Sequence, residues 1–279
     1  MRYVSTRGRA AELGFCDALL AGLATDGGLY VPQTWPKQPT MTGSTYAAKA
    51  ASLMAPYVEG EIPQDVFAQL CATAYSTFRD PAVVPLVQIA PEHYLLELFH
   101  GPTLAFKDIA MQLLGNFYEH YLKKNNKNIN VVVATSGDTG AAAIDAIKGK
   151  KNMNIFVLHP HEKVSLVQRK LMSTVKEKNV FNIAIEGNFD DCQNLVKSMF
   201  ADKEFSNSIN MSGVNSINWA RIIAQAVYYF YTYFQIQDKR PINFSVPTGN
   251  FGDVYAGYLS KKMGLPINKF IVATNKNDI

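Results

Sequence analysis

From residue 83 onward, two kinds of apolar segment alternate along the chain. Short, continuous apolar runs rich in β-branched residues, such as residues 129–134, are typical of buried strands. Longer segments carry apolar residues three or four positions apart, as with Ile109, Leu113 and Phe117, and these predict helices. Because the predicted strands are apolar throughout and alternate with helices, the pattern favours an α/β fold with mostly parallel sheet covered by helices.

The same pattern places the other elements. The predicted strands cover residues 83–89, 94–99, 129–134, 154–158, 180–185, 242–246 and 270–273. The predicted helices of this part cover residues 107–122, 139–147, 164–175, 190–200, 217–234 and 253–263. Before residue 83, a short helix at 15–23 and amphipathic helices at 45–58 and 63–78 predict a helical cap that carries no chemical motif.

Composition excludes several classes of protein. With 48% hydrophobic and 18% charged residues in 279, the chain is typical of a globular protein with a large core. A net charge of +4 with scattered lysines predicts no nucleic-acid partner. Three widely separated cysteines without a C-x-x-C pair favour a reducing compartment and argue against a zinc site. Without a signal-like or membrane-length apolar segment, we expect a cytoplasmic protein with no membrane or metal partner.

Lys107 follows a Gly101-Pro102 turn and lies at the predicted start of a helix. A cation is unfavourable there, because the helix dipole already places positive charge at the N-terminus. Such conditions lower the pKa of an amine, and a neutral amine can form a Schiff base. The local sequence alone leaves a second interpretation open, in which Lys107 is a surface lysine beside a helix end.

Two turns between a strand and a helix are rich in glycine and small polar residues, where ligands bind in α/β sheets. The turn at residues 134–140 predicts a nest of backbone N–H groups for an anion, although capping of the helix by Ser136 or Asp138 is an alternative. Its Asp-Thr-Gly triplet does not indicate an aspartic protease, which needs two such loops in an all-β fold. The turn at residues 246–253 lacks the Gly-Lys-Ser/Thr of a Walker A loop and suits the phosphate of a bound cofactor.

A third turn, at residues 215–221, leads into an aromatic-rich helix. Ser216 can cap this helix, and Arg221 lies a little over one turn inside it. An arginine on an apolar helix needs a partner, which is either a phosphate or the carboxylate of an internal salt bridge. A helix-start lysine, one nest for a carboxylate and another for a fixed phosphate together describe a pyridoxal-phosphate site.

At this point the sequence resembles the threonine synthase family of fold-type II (tryptophan-synthase β-like) pyridoxal-phosphate enzymes. The matching stretches are residues 3–8, 26–32, 100–108, 135–140, 214–221 and 246–253. The resemblance implies a lyase of amino-acid biosynthesis that converts O-phospho-L-homoserine and water to L-threonine and phosphate. In this family Lys107 would hold the cofactor as a Schiff base and then move protons at Cα and Cβ of the substrate.

The resemblance also assigns the other site residues. The loop that cradles the cofactor phosphate matches Gly249, Asn250, Phe251, Gly252 and Asp253. The loop that closes on the substrate carboxylate and the cofactor 3′-oxygen matches Thr135, Ser136, Asp138 and Thr139. Positions that hold the substrate phosphate match Ser216 and Arg221, with Asn250 as a further candidate.

The implied organisation has three parts, and we expect a monomer or a homodimer. Residues 1–90 form the helical cap, residues 91–125 with 212–279 form the cofactor-binding large domain, and residues 126–211 form a smaller substrate-closing domain. Two departures from the family stand out. Many fold-type II enzymes have Asn where Asp138 stands, and a carboxylate would repel the cofactor 3′-oxygen unless it is protonated or turned away. Family members also continue past Ile279, so we expect a fragment that lacks the residue facing the pyridine nitrogen.

Two alternatives stay open at this stage. A threonine/serine dehydratase uses the same cofactor, but has no substrate phosphate to pair with Arg221. A truncated, non-catalytic chain that serves as a binding partner is the second alternative, and cofactor binding would distinguish it from an enzyme.

Overall fold

A computed structural model describes residues 1–37, 40–236 and 240–274. Residues 38 and 39 of the predicted cap, and residues 237–239 and 275–279 of the predicted large domain, lie outside the described residues. The elements of the first third are β1 (Tyr3–Ser5), α1 (Phe15–Ala21), β2 (Tyr30–Pro32), α2 (Tyr46–Val58), α3 (Gln64–Tyr75), β3 (Leu86–Ala90), β4 (His93–Leu96) and α4 (Asp108–Asn125). The elements that follow are β5 (Ile129–Ala134), α5 (Asp138–Ile147), β6 (Met153–Pro160), α6 (Leu166–Ser173), β7 (Val180–Ile185), α7 (Phe189–Ala201), α8 (Lys203–Ser208), β8 (Met211–Ser212), α9 (Trp219–Gln235), β9 (Ile242–Pro247), α10 (Gly252–Lys262) and β10 (Ile267–Ala273).

The largest sheet is parallel, as the sequence predicts. Its strands lie in the order β7-β6-β5-β8, and every neighbouring pair is parallel. Val131, Ile155 and Val157 in its central strands are fully buried. The apolar runs therefore form strands here because both faces of the sheet are covered.

A second parallel pair, β9 and β10, packs beside α9 and α10. Phe244 and Phe270 of the two strands stack with ring centroids 6.4 Å apart, and Tyr229 of α9 contacts Phe244 edge-on at 4.7 Å. The backbone N–H of Thr248 donates to the carbonyl of Ala273 at 3.1 Å. These contacts fix the end of β9, from which the turn at residues 247–252 leaves.

The helical cap is packed against α4 through aromatic rings. Phe117 of α4 contacts Phe15 edge-on at 5.1 Å and stacks on Phe67 of α3 at 5.7 Å. All three side chains are at most 2% exposed. The cap therefore shares one hydrophobic core with the helix that begins next to Lys107.

Strands β3 and β4 differ from the prediction. They form a separate antiparallel pair, whereas the rhythm of the sequence predicted parallel strands. Only Pro91 and Glu92 connect them, and a parallel pair needs a crossover of a dozen or more residues. Their outer face is open, since Ile89 is 65% exposed.

Across the described parts of the chain, no helix is both long enough and apolar enough to cross a membrane.

Candidate active site

Lys107 is the residue immediately before α4. The sequence placed it inside the first helical turn; in the structure it is the N-cap, with helical backbone angles of φ −62° and ψ −24°. Its Nζ lies 3.7 Å from Oδ2 of Asp138 and 4.8 Å from the centre of the Phe106 ring. The side chain is 18% exposed, so the amine is partly shielded from water while still reachable.

The environment of the Lys107 amine lowers its pKa below the ordinary value. Burial is the main cause, because it disfavours the charged amine, and the nearby Arg221 cation lowers the pKa further. Asp138 and, more weakly, Asp253 act in the opposite direction. A lowered pKa increases the fraction of neutral amine near pH 7, which is the form that attacks a carbonyl.

A buried carboxylate fixes the turn that leads to Lys107. Asp108 accepts hydrogen bonds from the backbone N–H and the hydroxyl of Thr103, at 2.8 and 2.7 Å. A Cβ at Gly101 would lie 2.5 Å from the Asp108 side chain, so only glycine at this position lets the backbone lie so close to Asp108. Burial raises the pKa of Asp108 to about 6, although the Thr103 hydrogen bonds oppose the rise.

The loop at residues 134–140 is organised by Thr135. Its buried Oγ1 accepts hydrogen bonds from the backbone N–H groups of Gly137 and Gly140, both at 2.9 Å. The N-cap of α5 is Gly137, and the helix start is held by Thr135, so the capping proposed for Ser136 or Asp138 does not occur in the described chain. The first N–H groups of a helix have no partner within the helix; Thr135 takes that of Gly140, which leaves those of Asp138 and Thr139 for an anion.

The other predicted residues of this loop face outward. Ser136 is exposed and Thr139 half-buried. Asp138, whose side chain is 48% exposed, accepts a hydrogen bond of 2.6 Å from Nε2 of Gln168 in α6. This second contact turns one carboxylate oxygen away from Lys107.

The turn after β9 presents a second helix N-terminus. Phe251, the N-cap of α10, has a left-handed backbone, with φ 56° and ψ 2°, and its side chain makes no capping hydrogen bond. Asp253 accepts from its neighbour Val254 N–H and from the Thr248 hydroxyl, at 2.8 and 2.9 Å. Gly249 and Asn250 are exposed, and a Cβ at Gly249 would meet no atom within 4 Å. The loop therefore offers backbone N–H groups with open space in front of Gly249.

Arg221 is buried in α9, 2% exposed. Its Nη1 donates to the Val214 carbonyl at 3.3 Å, and its Nε has no hydrogen-bond partner. Burial lowers the pKa of Arg221 to about 10, which still leaves the group charged at neutral pH. No carboxylate among the described residues forms a salt bridge with Arg221. For this part of the chain, the internal salt bridge considered from the sequence is therefore wrong. A buried cation without a counter-charge is suited to an anionic ligand.

Ser216 does not cap α9, contrary to the prediction. The cap is Asn218, whose side-chain oxygen accepts from Ala220 N–H at 3.0 Å and whose amide donates to Leu19 at 2.8 Å. Ser216 lies two residues earlier in the turn, and its carbonyl is 3.2 Å from where a Cβ of Gly252 would stand. The turn before α9 and the turn before α10 therefore approach each other closely.

The structure thus brings Asp138, Arg221 and Asp253 close enough to Lys107 to shift the pKa of its amine. Sequence reasoning missed Asp108, Asn218 and Gln168. Asp108 could have been noticed as an acidic residue beside a glycine turn, and Asn218 as an alternative cap. Nothing in the sequence links Gln168 to Asp138, which is 30 residues away.

Within the described residues, no group of three or more His, Cys, Asp or Glu side chains could hold a metal ion. A partly buried lysine and two helix N-termini at the ends of parallel strands define an α/β protein whose site is suited to an anionic cofactor. Residues 82–278 match the family of pyridoxal-phosphate dependent enzymes, and residues 2–75 match the threonine synthase N terminus. The chain belongs to the pyridoxal-phosphate dependent enzyme family.

Its relatives extend this match over the whole chain. Threonine synthase of Pseudomonas aeruginosa is 52% identical, with 100% of this chain and 61% of the relative covered. The crystal structure of pyridoxal-phosphate-bound threonine synthase from Brucella melitensis superposes with a TM-score of 0.94 at 53% identity, covering 100% of this chain and 61% of that one. The yeast threonine synthase structure gives a TM-score of 0.92 at 45% identity, covering 99% and 58%.

These matches confirm the resemblance to threonine synthases and the fold-type II architecture. The chain spans about 60% of the length of these relatives.

Proposed function

We propose that this chain carries the site of a pyridoxal-phosphate-dependent threonine synthase. The reaction converts O-phospho-L-homoserine and water to L-threonine and phosphate by γ-elimination and β-addition of water. The observation that carries the proposal is the buried Arg221 guanidinium, which has an unpaired Nε and lies close enough to Lys107 to lower its pKa. A fixed positive charge of this kind matches a substrate that brings its own phosphate.

The residues present fit pyridoxal phosphate. Lys107 would bind its aldehyde, and the start of α10, with Gly249 through Asp253, would hold its phosphate. When bound, the cofactor supplies an electron sink for the reaction at the substrate's Cα and Cβ. Asp138 would lie beside the cofactor 3′-oxygen, and its hydrogen bond from Gln168 supports a carboxylate partly turned away from that oxygen.

The chain's own groups would divide the remaining tasks. Lys107 Nζ, with its lowered pKa, would take a proton from the substrate Cα and return protons during the addition of water. The loop of Thr135, Ser136 and Thr139, at the start of α5, would bind the substrate carboxylate through backbone N–H groups. Ser216 and Asn250, from the two neighbouring turns, and Arg221 of α9 would hold the substrate phosphate.

The same observation argues against a threonine/serine dehydratase. Such an enzyme has no substrate phosphate, and a buried unpaired guanidinium would then cost stability without serving a ligand. A non-catalytic chain is distinguished by experiment, because a chain that fails to bind pyridoxal phosphate cannot be the enzyme.

The test is phosphate release from O-phospho-L-homoserine by the 279-residue chain with pyridoxal phosphate. Lys107→Ala should abolish release, whereas Lys123→Ala should keep it, because Lys123 is an exposed residue of the same helix paired with Glu119. Release that is unchanged in Lys107→Ala would refute the role of Lys107. Keto-acid formation from L-threonine or L-serine, without phosphate release, would establish the dehydratase instead.

Three further features belong to the proposal. The parallel sheet β7-β6-β5-β8 supports a smaller domain at residues 126–211, flanked by the cap at 1–90 and the large domain at 91–125 with 212–279. We expect a monomer or a homodimer with a small-molecule substrate. A cytoplasmic location is supported by three buried free cysteines.

A further inference from the structure

A side chain from α6 contacts Asp138, the residue whose carboxylate lies beside Lys107. Gln168 Nε2 donates to Oδ1 of Asp138 at 2.6 Å, while Oδ2 of the same carboxylate lies 3.7 Å from Lys107 Nζ. Gln168 and Lys107 therefore bind opposite oxygens of one carboxylate. The three residues come from α6, α5 and the start of α4, so the contact joins separate elements of the chain.

The orientation of the Gln168 amide is set by its own helix. Ser165 caps α6 and accepts from the Gln168 backbone N–H at 3.3 Å. Its hydroxyl also donates to Gln168 Oε1 at 2.8 Å. Because the amide oxygen is engaged by this hydroxyl, the NH₂ end is the one that points to Asp138.

This use of the side chain differs from what the local sequence predicts. Ser-x-x-Gln at a helix start is the pattern of a capping box, in which the glutamine side chain turns back to the N-cap backbone N–H. Here the serine makes its half of that arrangement, and the glutamine side chain binds Asp138 instead. The diversion indicates that tertiary contact, rather than capping of α6, determines where the amide lies.

The loop before α5 is shaped to admit this side chain. A Cβ at Gly137 would lie 2.3 Å from Cδ and 2.4 Å from Oε1 of Gln168, so only glycine leaves room for the amide. Gly137 also has φ 145°, a backbone conformation that other residues rarely adopt. The Gln168 side chain thus lies directly against the backbone of the predicted substrate-binding loop.

We propose that Gln168 is a positioning residue for Lys107, which holds the Asp138 carboxylate at the amine. The proposal rests on the proposed function only for its consequence in catalysis; the contact itself belongs to the chain without ligand. Asp138 is 48% exposed, and without a donor on Oδ1 its carboxylate gains water by turning to solvent. The amine would then lose the negative charge that most strongly raises its pKa against the effect of burial.

The direction of the effect follows from the charges around Lys107. Asp138 of α5 and Asp253 of α10 raise the pKa of the amine, and Arg221 of α9 and burial lower it. Loss of the Asp138 contact leaves burial and Arg221 less opposed. The pKa of Lys107 should therefore fall further when Gln168 can no longer donate.

The test uses Gln168→Met, which keeps the length and helix propensity of the side chain and removes the amide. The rate at which trinitrobenzenesulfonate labels Lys107 is measured by mass spectrometry against pH in the cofactor-free chain. We expect the labelling midpoint to fall by about half a pH unit, as befits a partly exposed charge pair. Asp138→Asn should lower it at least as far, and Gln69→Met, an exposed helical glutamine of α3, should leave it unchanged.

A double variant isolates the pathway. In an Asp138→Asn background, Gln168→Met should cause no further shift, because the two substitutions remove the same interaction. An unchanged or raised midpoint in Gln168→Met, or a shift that persists in the Asp138→Asn background, would overturn the proposal. If Gln168→Met fails to fold, Ser165→Ala is used instead, because it removes the hydroxyl that orients the Gln168 amide. A fall of the labelling midpoint by less than about half a pH unit would support the proposal, and an unchanged midpoint would overturn it.

The outcomes separate this inference from the proposed function. Labelling needs neither cofactor nor turnover, so a shift without phosphate release would retain the positioning role and reject the synthase. Phosphate release with no shift in Gln168→Met would retain the synthase and reject the positioning role.

Discussion

Replacing Arg221 by methionine should make the chain more stable. Burial lowers the pKa of Arg221 from its ordinary value to about 10, which corresponds to about 3 kcal/mol of disfavoured charge. The guanidinium recovers part of this through one hydrogen bond to the Val214 carbonyl, worth about 1 kcal/mol. Methionine has a similar length and no charge to desolvate. We therefore expect Arg221→Met to raise the free energy of unfolding by about 2 kcal/mol.

Urea unfolding followed by circular dichroism measures this difference. Arg169→Met is the matched control, because Arg169 is exposed on α6, and it should change the free energy by less than about 0.5 kcal/mol. A clear loss of stability in Arg221→Met would contradict the reasoning, since it would show that the guanidinium is held by favourable internal contacts.

Inorganic phosphate provides the second half of this experiment. An anion that pairs with Arg221 should stabilise the original chain by about 1.4 kcal/mol at ten times its dissociation constant. The Arg221→Met variant should show no such gain. Equal stabilisation of both proteins would mean that phosphate binds elsewhere.

Two further predictions concern the groups that hold the site in place. Asn218→Ala removes the cap of α9 and the hydrogen bond to Leu19, so urea unfolding should show a free energy of unfolding lower by about 2 kcal/mol. Ser216→Ala is the control and should lower it by less than about 0.5 kcal/mol. Equal losses would contradict the assignment of Asn218 as the cap. Burial raises the pKa of Asp108 to about 6 in the folded chain, above its ordinary 3.8. Between these two pH values the folded state holds a proton on Asp108 that the unfolded state has lost. The contribution of Asp108 to stability therefore falls as the pH rises from about 4 to about 6. Relative to Asp108→Asn, the original chain should lose up to about 3 kcal/mol between pH 4 and pH 7, and a difference that is flat with pH would contradict this.

The sequence predicted the long, buried elements well. Strands β5 and β7 have the predicted bounds. The run in β5 is largely buried inside the covered sheet, whereas β7 is the edge strand and leaves Phe181 and Ile183 exposed. Helix α8 and strand β8 were missed, since six and two residues are too short to show a period. The β3–β4 pair was assigned to the wrong kind of sheet because periodicity reports strands and carries no information about their partners.

For the site, the sequence indicated which turns carry chemistry and could not show how they meet. Lys107 and Arg221 were identified as cations in unfavourable places, and the structure shows both shielded from water. The choice between a salt bridge and a ligand for Arg221 depended on which carboxylates lie near it, and only the tertiary structure shows this. The Gln168 contact likewise depends on the approach of α6 to the loop before α5.

The central claim is that Lys107 is the amine that binds pyridoxal phosphate. The most direct measurement is borohydride reduction of the 279-residue chain mixed with one equivalent of pyridoxal phosphate, followed by peptide mass spectrometry. The account predicts one reduced pyridoxyl group per chain, on the peptide that contains Lys107, and none at that stoichiometry in Lys107→Ala. A label spread over exposed lysines such as Lys123, with Lys107 unmodified, would contradict it.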